Sequence, residues 1–251
     1  WLLLPGMRRF IPLLLIGFLM IVPRAGEGGA YDPKHRWQTI KTDHFAIHYY
    51  QGEEEVVQKL VPLVEEVYDN LSKKFDARPW GRTEVVVTDQ EDAANGFTQV
   101  IPYNLIILRV VGPTPDSNLS DYDDWLRELF THEFTHVLHI TDTRYPAKGL
   151  KFLFGTLVAP NGASPGWVTE GIATYIETVE TTRGRGRSSF TDMLTRTDIL
   201  RDKFLTLDRM AGTQYSWPGW MAQYLYGVSF WKYLAETYGE EKILEFSHRY
   251  G

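Results

Sequence analysis

The stretch "LFTHEFTHVLHITD", residues 129–142, places His132 and His136 four positions apart, with Glu133 directly after the first histidine. Four residues on an α-helix advance by about 400°, so both imidazoles project from one face, one turn apart, and can reach a single ion. Glu133 projects beside them, where a carboxylate can take a proton from an ion-activated water. Two histidines are too few for a catalytic zinc, which typically takes three protein ligands. The alternative interpretation is a helix with two surface or core histidines whose hydrogen bonds are satisfied and that bind no ion.

Two positions compete for the role of third ligand. Asp142 lies six residues after His136, a spacing that some zinc enzymes use, but their chain turns back at a glycine where this sequence has His139. Glu170 lies in "PGWVTEGIATYIE", residues 165–177, where a Pro-Gly pair precedes a segment with helical apolar spacing. Its carboxylate keeps a zinc ion more electrophilic than a thiolate would. Glu170 is therefore the stronger candidate.

The two segments together resemble the gluzincins, a clan of zinc peptidases. "HEFTH" (132–136) followed by "WVTEGIA" (167–173) is most similar to the leukotriene-hydrolase-type aminopeptidases, whose second zinc helix reads Trp-Leu-Asn-Glu-Gly-Phe-Ala. The resemblance covers about residues 120–240 and implies a zincin-like fold, one catalytic zinc ion and Glu133 as general base. The zinc ligands that it implies are His132, His136 and Glu170.

A tyrosine is the second catalytic candidate that the resemblance implies. Aminopeptidases of that branch carry Tyr-Glu-Lys-Gly ahead of an apolar helix, and the tyrosine hydroxyl stabilises the tetrahedral oxyanion. The stretch "QYLYGVSFWKYLAETYG", residues 223–239, aligns Tyr224 with that tyrosine. A phenol is a suitable donor to a developing oxyanion. Tyr226 is the second choice, and two tyrosines of the core are the alternative.

The substrate prediction rests on a departure from that branch. Its members hold the free amine of the substrate with a Gly-x-Met-x-Asn segment upstream of the zinc helix, and this chain has no such segment. We therefore expect an endopeptidase that acts on peptide or protein substrates. "NLIILRVV", residues 104–111, is expected to be the edge strand that pairs with an extended peptide.

A further resemblance points to export from the cell. The segments "TDHFAIHYY" (42–50), "NGFTQVIPYN" (95–104) and "DDWLRELFTHEFTHVLH" (123–139) are similar to bacterial exported peptidase-MA-like proteins, which often continue into a TolB-like β-propeller. This implies a periplasmic or extracellular protein, and a natural chain that can extend into such a propeller.

The N-terminus predicts a signal peptide region over residues 1–30. Arg8 and Arg9 precede the apolar run 10–22, small residues follow, and the run is too short for a comfortable transmembrane helix. Met7 is the expected start. The candidate cleavage positions follow Ala25 and Ala30. An uncleaved segment that associates with the membrane is the alternative.

Composition limits the remaining possibilities. The chain has 251 residues with 43% hydrophobic content, enough for one large domain or two small ones, and a net charge of −6. Removal of residues 1–30 brings this charge to −8, and an acidic chain is a poor candidate for binding nucleic acid. The absence of cysteine excludes disulfides and thiolate zinc sites, so any metal must use His, Asp or Glu.

Periodicity predicts an α+β domain over residues 31–251. Its first half, about 31–140, mixes strands and helices, and its second half, about 141–251, is mostly helical. The predicted strands are two within 37–50, then 83–89 and 104–111. The predicted helices are 53–75, one from Ser120 or Asp121 through the histidine pair, then 166–180, 189–202, 217–237 and 239–249.

Other polar residues have two interpretations each. Glu177, seven residues after Glu170, lies on the same helix face and can orient a zinc histidine, but a solvated carboxylate is the preferred interpretation. "TTRGRGRSS", 181–189, is interpreted as an exposed flexible loop rather than an anion-binding one. Three acids are attributed to a helix start rather than to a calcium site: Asp121, Asp123 and Asp124.

The function predicted from these residues is hydrolysis of peptide bonds by a zinc-activated water. A non-catalytic zincin-fold binding domain and a zinc hydrolase of non-peptide substrates are the alternatives. Glu133 favours catalysis, because a purely structural zinc site has no use for a base beside an open coordination position.

Overall fold

Five strands form one mixed sheet in the first part of the chain, and the computed structural model describes residues 32, 34–211, 215 and 217–249. The strands are β1 (Trp37–Lys41), β2 (Phe45–Tyr50), β3 (Thr83–Thr88), β4 (Gly96–Gln99) and β5 (Leu105–Arg109). Their order across the sheet is β1-β2-β3-β5-β4. The β2–β3 and β3–β5 pairs are parallel, and the two outer pairs are antiparallel. One edge of the sheet is therefore β4.

Alternating apolar residues bury one face of this sheet. Val85 and Val87 of β3 and Ile106 and Leu108 of β5 are all 0% exposed, and alternate residues of a strand share a face. The helix α1 (Glu54–Lys74) follows β2 and packs against it. It carries acidic residues in its first turn and lysines in its last, which complements the helix dipole.

Helices make up the second part of the chain. They are α2 (Trp125–Thr141), α3 (Ala147–Phe154), α4 (Gly166–Glu180), α5 (Ser189–Leu200), α6 (Ala222–Tyr238) and α7 (Glu240–His248). Short 3₁₀ turns lie at 155–157, 160–163, 185–187, 209–211 and 219–221. The helix α4 packs against both α2 and α6. These elements and the sheet belong to one compact unit that begins at Arg36.

The helix α2 joins the sheet to the helices. Phe130 and Phe134 point toward the sheet, where their rings lie 5.4 and 5.6 Å from the ring of Phe45. Both phenylalanines are fully buried. The histidine pair lies toward α4, where both imidazoles approach Glu170. A helix that is apolar on one side and carries ligands on the other thus places the candidate site between the two halves.

The predicted α+β class is confirmed, and so are most of the predicted elements. The helix predicted over 166–180 has the observed bounds, and those predicted over 189–202 and 239–249 differ from the observed helices by one or two residues. The helix predicted over 217–237 begins only at Ala222, because the chain first makes the 3₁₀ turn at 219–221.

The predicted edge strand is wrong. The segment 104–111 contains β5, which lies between β3 and β4. The edge on this side of the sheet is β4, which was not among the predicted strands and which begins at the turn-type pair Asn95-Gly96. The glycine has a packing reason instead: a Cβ at Gly96 would lie 2.6 Å from Oε1 of Glu133. The edge strand therefore passes directly over the candidate base.

The predicted start of the histidine helix is also wrong. A cap at Ser120 or Asp121 was expected, but α2 begins at Trp125 and its cap is Asp124, whose side chain accepts a hydrogen bond from the Arg127 N–H. The acids ahead of it bind the segment that follows α4. The pairs are Asp121 with Arg183 and Asp123 with Thr182.

The helix α3 has no counterpart among the predicted elements. Its large apolar side chains Leu150, Phe152 and Leu153 are more than half exposed, whereas Lys151 is buried and its Nζ donates to the carbonyl oxygen of Thr141. The helix has only eight residues, fewer than the window of about 11–18 residues in which helical periodicity is recognised, so the sequence does not indicate it.

The predicted signal region, residues 1–30, lies outside the described residues, and so does the proposed cleavage after Ala25 or Ala30. Among the residues that the structure describes, none of the helices combines the length and the apolar character needed to cross a membrane.

The contact between α4 and α6 depends on two glycines. A Cβ at Gly171 would lie 2.8 Å from the Cα of Gly227 and 2.7 Å from Cδ1 of Trp231. Backbone and a fully buried indole cannot move away cheaply. Only glycine at these positions lets the two helices approach this closely, and Gly171 directly follows the candidate ligand Glu170.

We expect Gly171→Ala to lower the free energy of unfolding by about 1–3 kcal/mol, the usual cost of an extra methyl group in a packed core. The matched control is Gly149→Ala in α3, where a Cβ would meet nothing within 4 Å. That change should be neutral or stabilise by roughly 0.5–1 kcal/mol through helix propensity. Urea denaturation measures both, and equal effects would show that the α4–α6 contact is not tight.

Candidate metal centre

Three potential ligand atoms from α2 and α4 meet at one point. The Nε2 atoms of His132 and His136 are 3.1 Å apart, and Oε2 of Glu170 lies 3.4 and 3.3 Å from them, respectively. A tetrahedral zinc ion with ligand bonds of about 2.0–2.1 Å separates its ligands by roughly 3.3 Å. The three atoms therefore have the spacing of three corners of such a tetrahedron. The residues of this group can hold a metal ion.

The charges around these three ligand atoms also favour a bound cation. Oε2 of Glu170 is buried and has no hydrogen-bond partner of normal geometry among the described residues. Burial alone would raise the pKa of Glu170, but the charge of His136 and contacts with both histidines lower it, so the carboxylate is ionised. Burial and the charge of Arg185 lower the pKa of His132, but Glu170 and Glu177 outweigh them and raise it to about 9. Without a metal ion the cluster thus retains a proton.

Glu133 lies beside this cluster on α2 and is held from the sheet side. The hydroxyl of Thr98 in β4 donates to Oε2 of Glu133 at 2.6 Å. The carboxylate lies against Gly96, where a side chain would displace it. Glu133 is 5% exposed. The edge strand therefore sets the position of the predicted base.

A second layer of charged residues supports His132. Its Nδ1 lies 2.7 Å from Oε2 of Glu177, and a carboxylate can only accept, so Nδ1 donates and Nε2 is free to bind an ion. Arg185 donates from Nε and from a terminal nitrogen to the two oxygens of Glu177, at 2.7 and 2.6 Å. Burial raises the pKa of Glu177, but the charge of Arg185 and these hydrogen bonds lower it to about 2.

This arrangement corrects two interpretations from the sequence. Glu177 is 1% exposed rather than solvated, and Arg185 of the supposed flexible loop is 6% exposed. The loop forms a 3₁₀ turn at 185–187, and this turn brings the guanidinium of Arg185 next to the site. A buried charge requires a partner of opposite charge, and Glu177 and Arg185 are such partners for each other.

The two candidate tyrosines have different surroundings. Tyr224 lines the cavity over the ligands, its ring is stacked near that of His132, and the guanidinium of Arg185 lies 4.9 Å from its ring centroid. Burial and the charge of Glu170 raise its pKa, so the hydroxyl keeps its proton. Tyr226 is fully buried and donates its hydroxyl to Asp198. The structure brings Tyr224 into the site and places Tyr226 in the core.

The competing ligand Asp142 lies elsewhere. It caps the C-terminal end of α2, and its Oδ2 pairs with Nδ1 of His248 at 2.6 Å and with Arg144. His139 is fully buried and its Nδ1 lies 2.7 Å from the hydroxyl of Ser247. Neither residue belongs to the ligand group formed by the described residues.

The cluster opens into a cavity of about 800 Å³. One face of α2, from Trp125 to Ile140, forms one wall of the cavity. The other walls come from β4 and the two residues before it, the segment 117–119, the loop before α4, α4 with Arg185 in the turn after it, and Trp220 with Tyr224. It therefore provides room for a substrate beside the three ligands.

Sequence reasoning missed Thr98, Arg185 and Glu128, which all line this cavity. Thr98 lies in β4, which was not among the predicted strands, and Arg185 is one of three arginines in the loop 181–189. The neighbouring residues in the sequence do not indicate that either of these two residues lines a cavity. Glu128 had a signal, since it lies one helical turn before His132 on the same face.

Comparison with known proteins adds little about function. No family model matches the chain. A protein of Treponema pallidum (strain Nichols), with the name "Uncharacterized protein", is 27% identical over 209 residues, which is 81% of this chain and 18% of that protein. The chain thus spans less than a fifth of the length of this relative, whose name assigns no activity.

We expect the protein to bind one zinc ion per chain and Glu170→Ala to lose most of it on dialysis, because two histidines remain. The control is Asp142→Asn, which keeps its shape and lies outside the ligand group, and this variant should retain zinc. Elemental analysis gives the stoichiometry. Zinc should also raise the melting temperature of the wild type and of the control, as any ligand of the native state does. Retention by Glu170→Ala would contradict the assignment.

Proposed function

We propose that this chain is a zinc-dependent metallopeptidase of gluzincin type that cleaves internal peptide bonds. One observation carries the proposal: the ligand atoms of His132, His136 and Glu170 lie 3.1–3.4 Å apart, with Glu133 beside them at an open cavity. A structural metal site is normally closed by a fourth protein ligand, whereas a catalytic one keeps an open position. The described residues supply three.

Zinc is the ion that best suits these ligands. Two imidazoles and one carboxylate form a common donor set of catalytic zinc, whereas calcium and magnesium prefer oxygen alone. When bound, zinc acidifies a water to a pKa of about 7 and polarises a carbonyl group. Proton transfer and stabilisation of the oxyanion are the proposed tasks of Glu133 and Tyr224.

Glu133 is the proposed general base. Its carboxylate is on the same side of α2 as the ligands and lines the cavity. The Thr98 hydroxyl occupies a lone pair of Oε2 and fixes the plane of the carboxylate. Glu133 can then accept a proton from the attacking water and pass it to the leaving amine.

Tyr224 is the proposed donor to the oxyanion. Its hydroxyl keeps its proton because burial and the nearby charge of Glu170 raise its pKa. The cation of Arg185 against its ring limits that rise and holds the ring in place. A fixed phenol that stabilises negative charge only as it develops lowers the barrier rather than the ground state.

The free edge of β4 supports an extended substrate. β5 pairs with one side of β4, and within the described part of the chain no strand pairs with the other. An extended peptide can add to such an edge through backbone hydrogen bonds. β4 takes the role expected of 104–111 and lies closer to Glu133, since Gly96 and Thr98 both contact that residue.

Export is part of the same proposal. The signal-like region 1–30 and the resemblance to exported peptidase-MA-like proteins support a periplasmic or extracellular location, with membrane association if the segment is retained. The 18% coverage of the relative from Treponema pallidum agrees with a domain of a longer protein, for which a β-propeller remains the proposal.

Glu133→Gln should retain zinc and lose hydrolysis by several orders of magnitude, because an amide cannot accept the proton. Zinc-loaded protein is incubated with a mixture of peptides, with and without a chelator, and the products are identified by mass spectrometry. Chelator-sensitive cuts inside peptides support the proposal. Stepwise loss of N-terminal residues would indicate an aminopeptidase, and no cleavage by a folded, zinc-loaded sample would favour a binding domain or a non-peptide hydrolase.

Tyr224→Phe should lower kcat by about 10²-fold or more without loss of zinc, the usual effect of removing one oxyanion donor. Tyr226→Phe is the matched control, because its hydroxyl binds Asp198 away from the cavity. This control should change stability rather than kcat. A kcat effect confined to Tyr226→Phe would show that the assignment of the two tyrosines is reversed.

A further inference from the structure

Glu128 is a buried acid that the proposed reaction does not use. It lies on α2 one turn before His132, is 3% exposed and lines the cavity. Its Oε2 has no hydrogen-bond partner among the described residues. Burying an oxygen of this kind without a partner is unfavourable, and more so if it is charged. Such a group in a cavity wall is suited to a ligand that supplies the missing partner.

The walls near Glu128 are apolar. Trp125 and Leu129, three residues before and one after it on α2, are buried and line the same cavity. Leu119, in the segment ahead of α2, contributes a further apolar surface. A cleft with apolar sides and one carboxyl group fits a side chain with an aliphatic stem and a cationic end.

The charges in the cavity favour a cation at this place. Its lining contains four carboxylates, from Glu128, Glu133, Glu170 and Glu177, and one guanidinium, from Arg185. The guanidinium donates hydrogen bonds to both oxygens of Glu177, and Glu170 is one of the three proposed metal ligands. Thr98 donates to Glu133. Glu128 therefore remains the acid of this cavity without a dedicated partner.

The pKa of Glu128 is consistent with an acid that lacks a partner. Burial and the charge of Glu177 raise it to about 8, although Arg185 and His132 act in the opposite direction. In the absence of a ligand the group therefore favours its neutral form. A cation bound against it would restore the carboxylate.

We propose that Glu128 forms a specificity subsite that binds the ammonium or guanidinium group of a lysine or arginine flanking the scissile bond. The inference rests on the proposed peptidase function and names its substrate class. Glu128 and His132 are about 6 Å apart along the helix axis, a distance that the four-carbon stem of lysine spans. An acidic side chain would be repelled, and an apolar one would leave Oε2 unpaired.

The test uses peptides blocked at both ends, so that the tested side chain is their sole cation. Each sequence is made with lysine and with Nε-acetyl-lysine, which keeps the stem and removes the charge. The wild type should show a kcat/KM at least about 30-fold higher for lysine, the lower end of the effect of a buried charge pair. In Glu128→Gln the ratio should fall to near 1. Glu55→Gln, the same change at an exposed site on α1, should keep the wild-type ratio.

A binding measurement separates this inference from the proposed activity. The affinities of the same peptides for zinc-loaded Glu133→Gln protein, with and without Glu128→Gln, are measured by calorimetry. Tighter binding of the lysine peptide that depends on Glu128 supports the subsite even if no peptide is cut. Equal kcat/KM or equal affinity of the two peptides in proteins with Glu128 intact would overturn it, and this comparison does not require the Glu128 variant to fold. A preference that appears only with free N-termini would assign the site to the α-amine and overturn the side-chain proposal.

Discussion

The buried carboxylate of Glu177 is the interaction on which the rest of the site depends. At 1% exposure it would be severely destabilised alone, yet it accepts hydrogen bonds from His132 on α2 and from Arg185 in the turn after α4. Three separate parts of the chain are thereby tied to one group. Because Nδ1 of His132 is the donor, Nε2 must face Glu170, which sets the ligand geometry. The charge pair is weak support for overall stability but strong support for one arrangement of α2, α4 and the turn.

The fold brings the other groups to this centre from opposite sides. Close contact at Gly171 and Gly227 lets α6 lie against α4, and Tyr224 on α6 then reaches the cavity. On the other side, β4 passes over α2, with Gly96 and Thr98 in contact with Glu133. Both approaches depend on the absence of a side chain at a glycine. The sheet edge and the helix pair therefore converge on α2.

The chemistry on α2 could be predicted from the sequence because it is local. The i, i+4 spacing of His132 and His136 follows from helix geometry alone, and Glu170 follows from a second motif at the start of another helix. The edge strand could not be predicted, since a four-residue strand containing glycine forms only when its partner β5 is in place. The burial of Glu177 likewise depends on Arg185, eight residues later, whose basic loop resembles an exposed one. Both pairs, β4 with β5 and Glu177 with Arg185, form through tertiary contacts, which is why the sequence alone did not predict them.

The acids of α2 show how environment separates residues of one type on one helix. Glu133 receives a hydrogen bond from Thr98, whereas Oε2 of Glu128 receives none and burial raises the pKa of Glu128 to about 8. Pairs of acids whose surroundings differ in this way are typical of sites that assign them different tasks. A divalent ion at the ligands and the guanidinium of Arg185 would together balance three of the four acidic side chains that line the cavity. Glu128 is the fourth, and it favours its neutral form unless a cationic group binds against it.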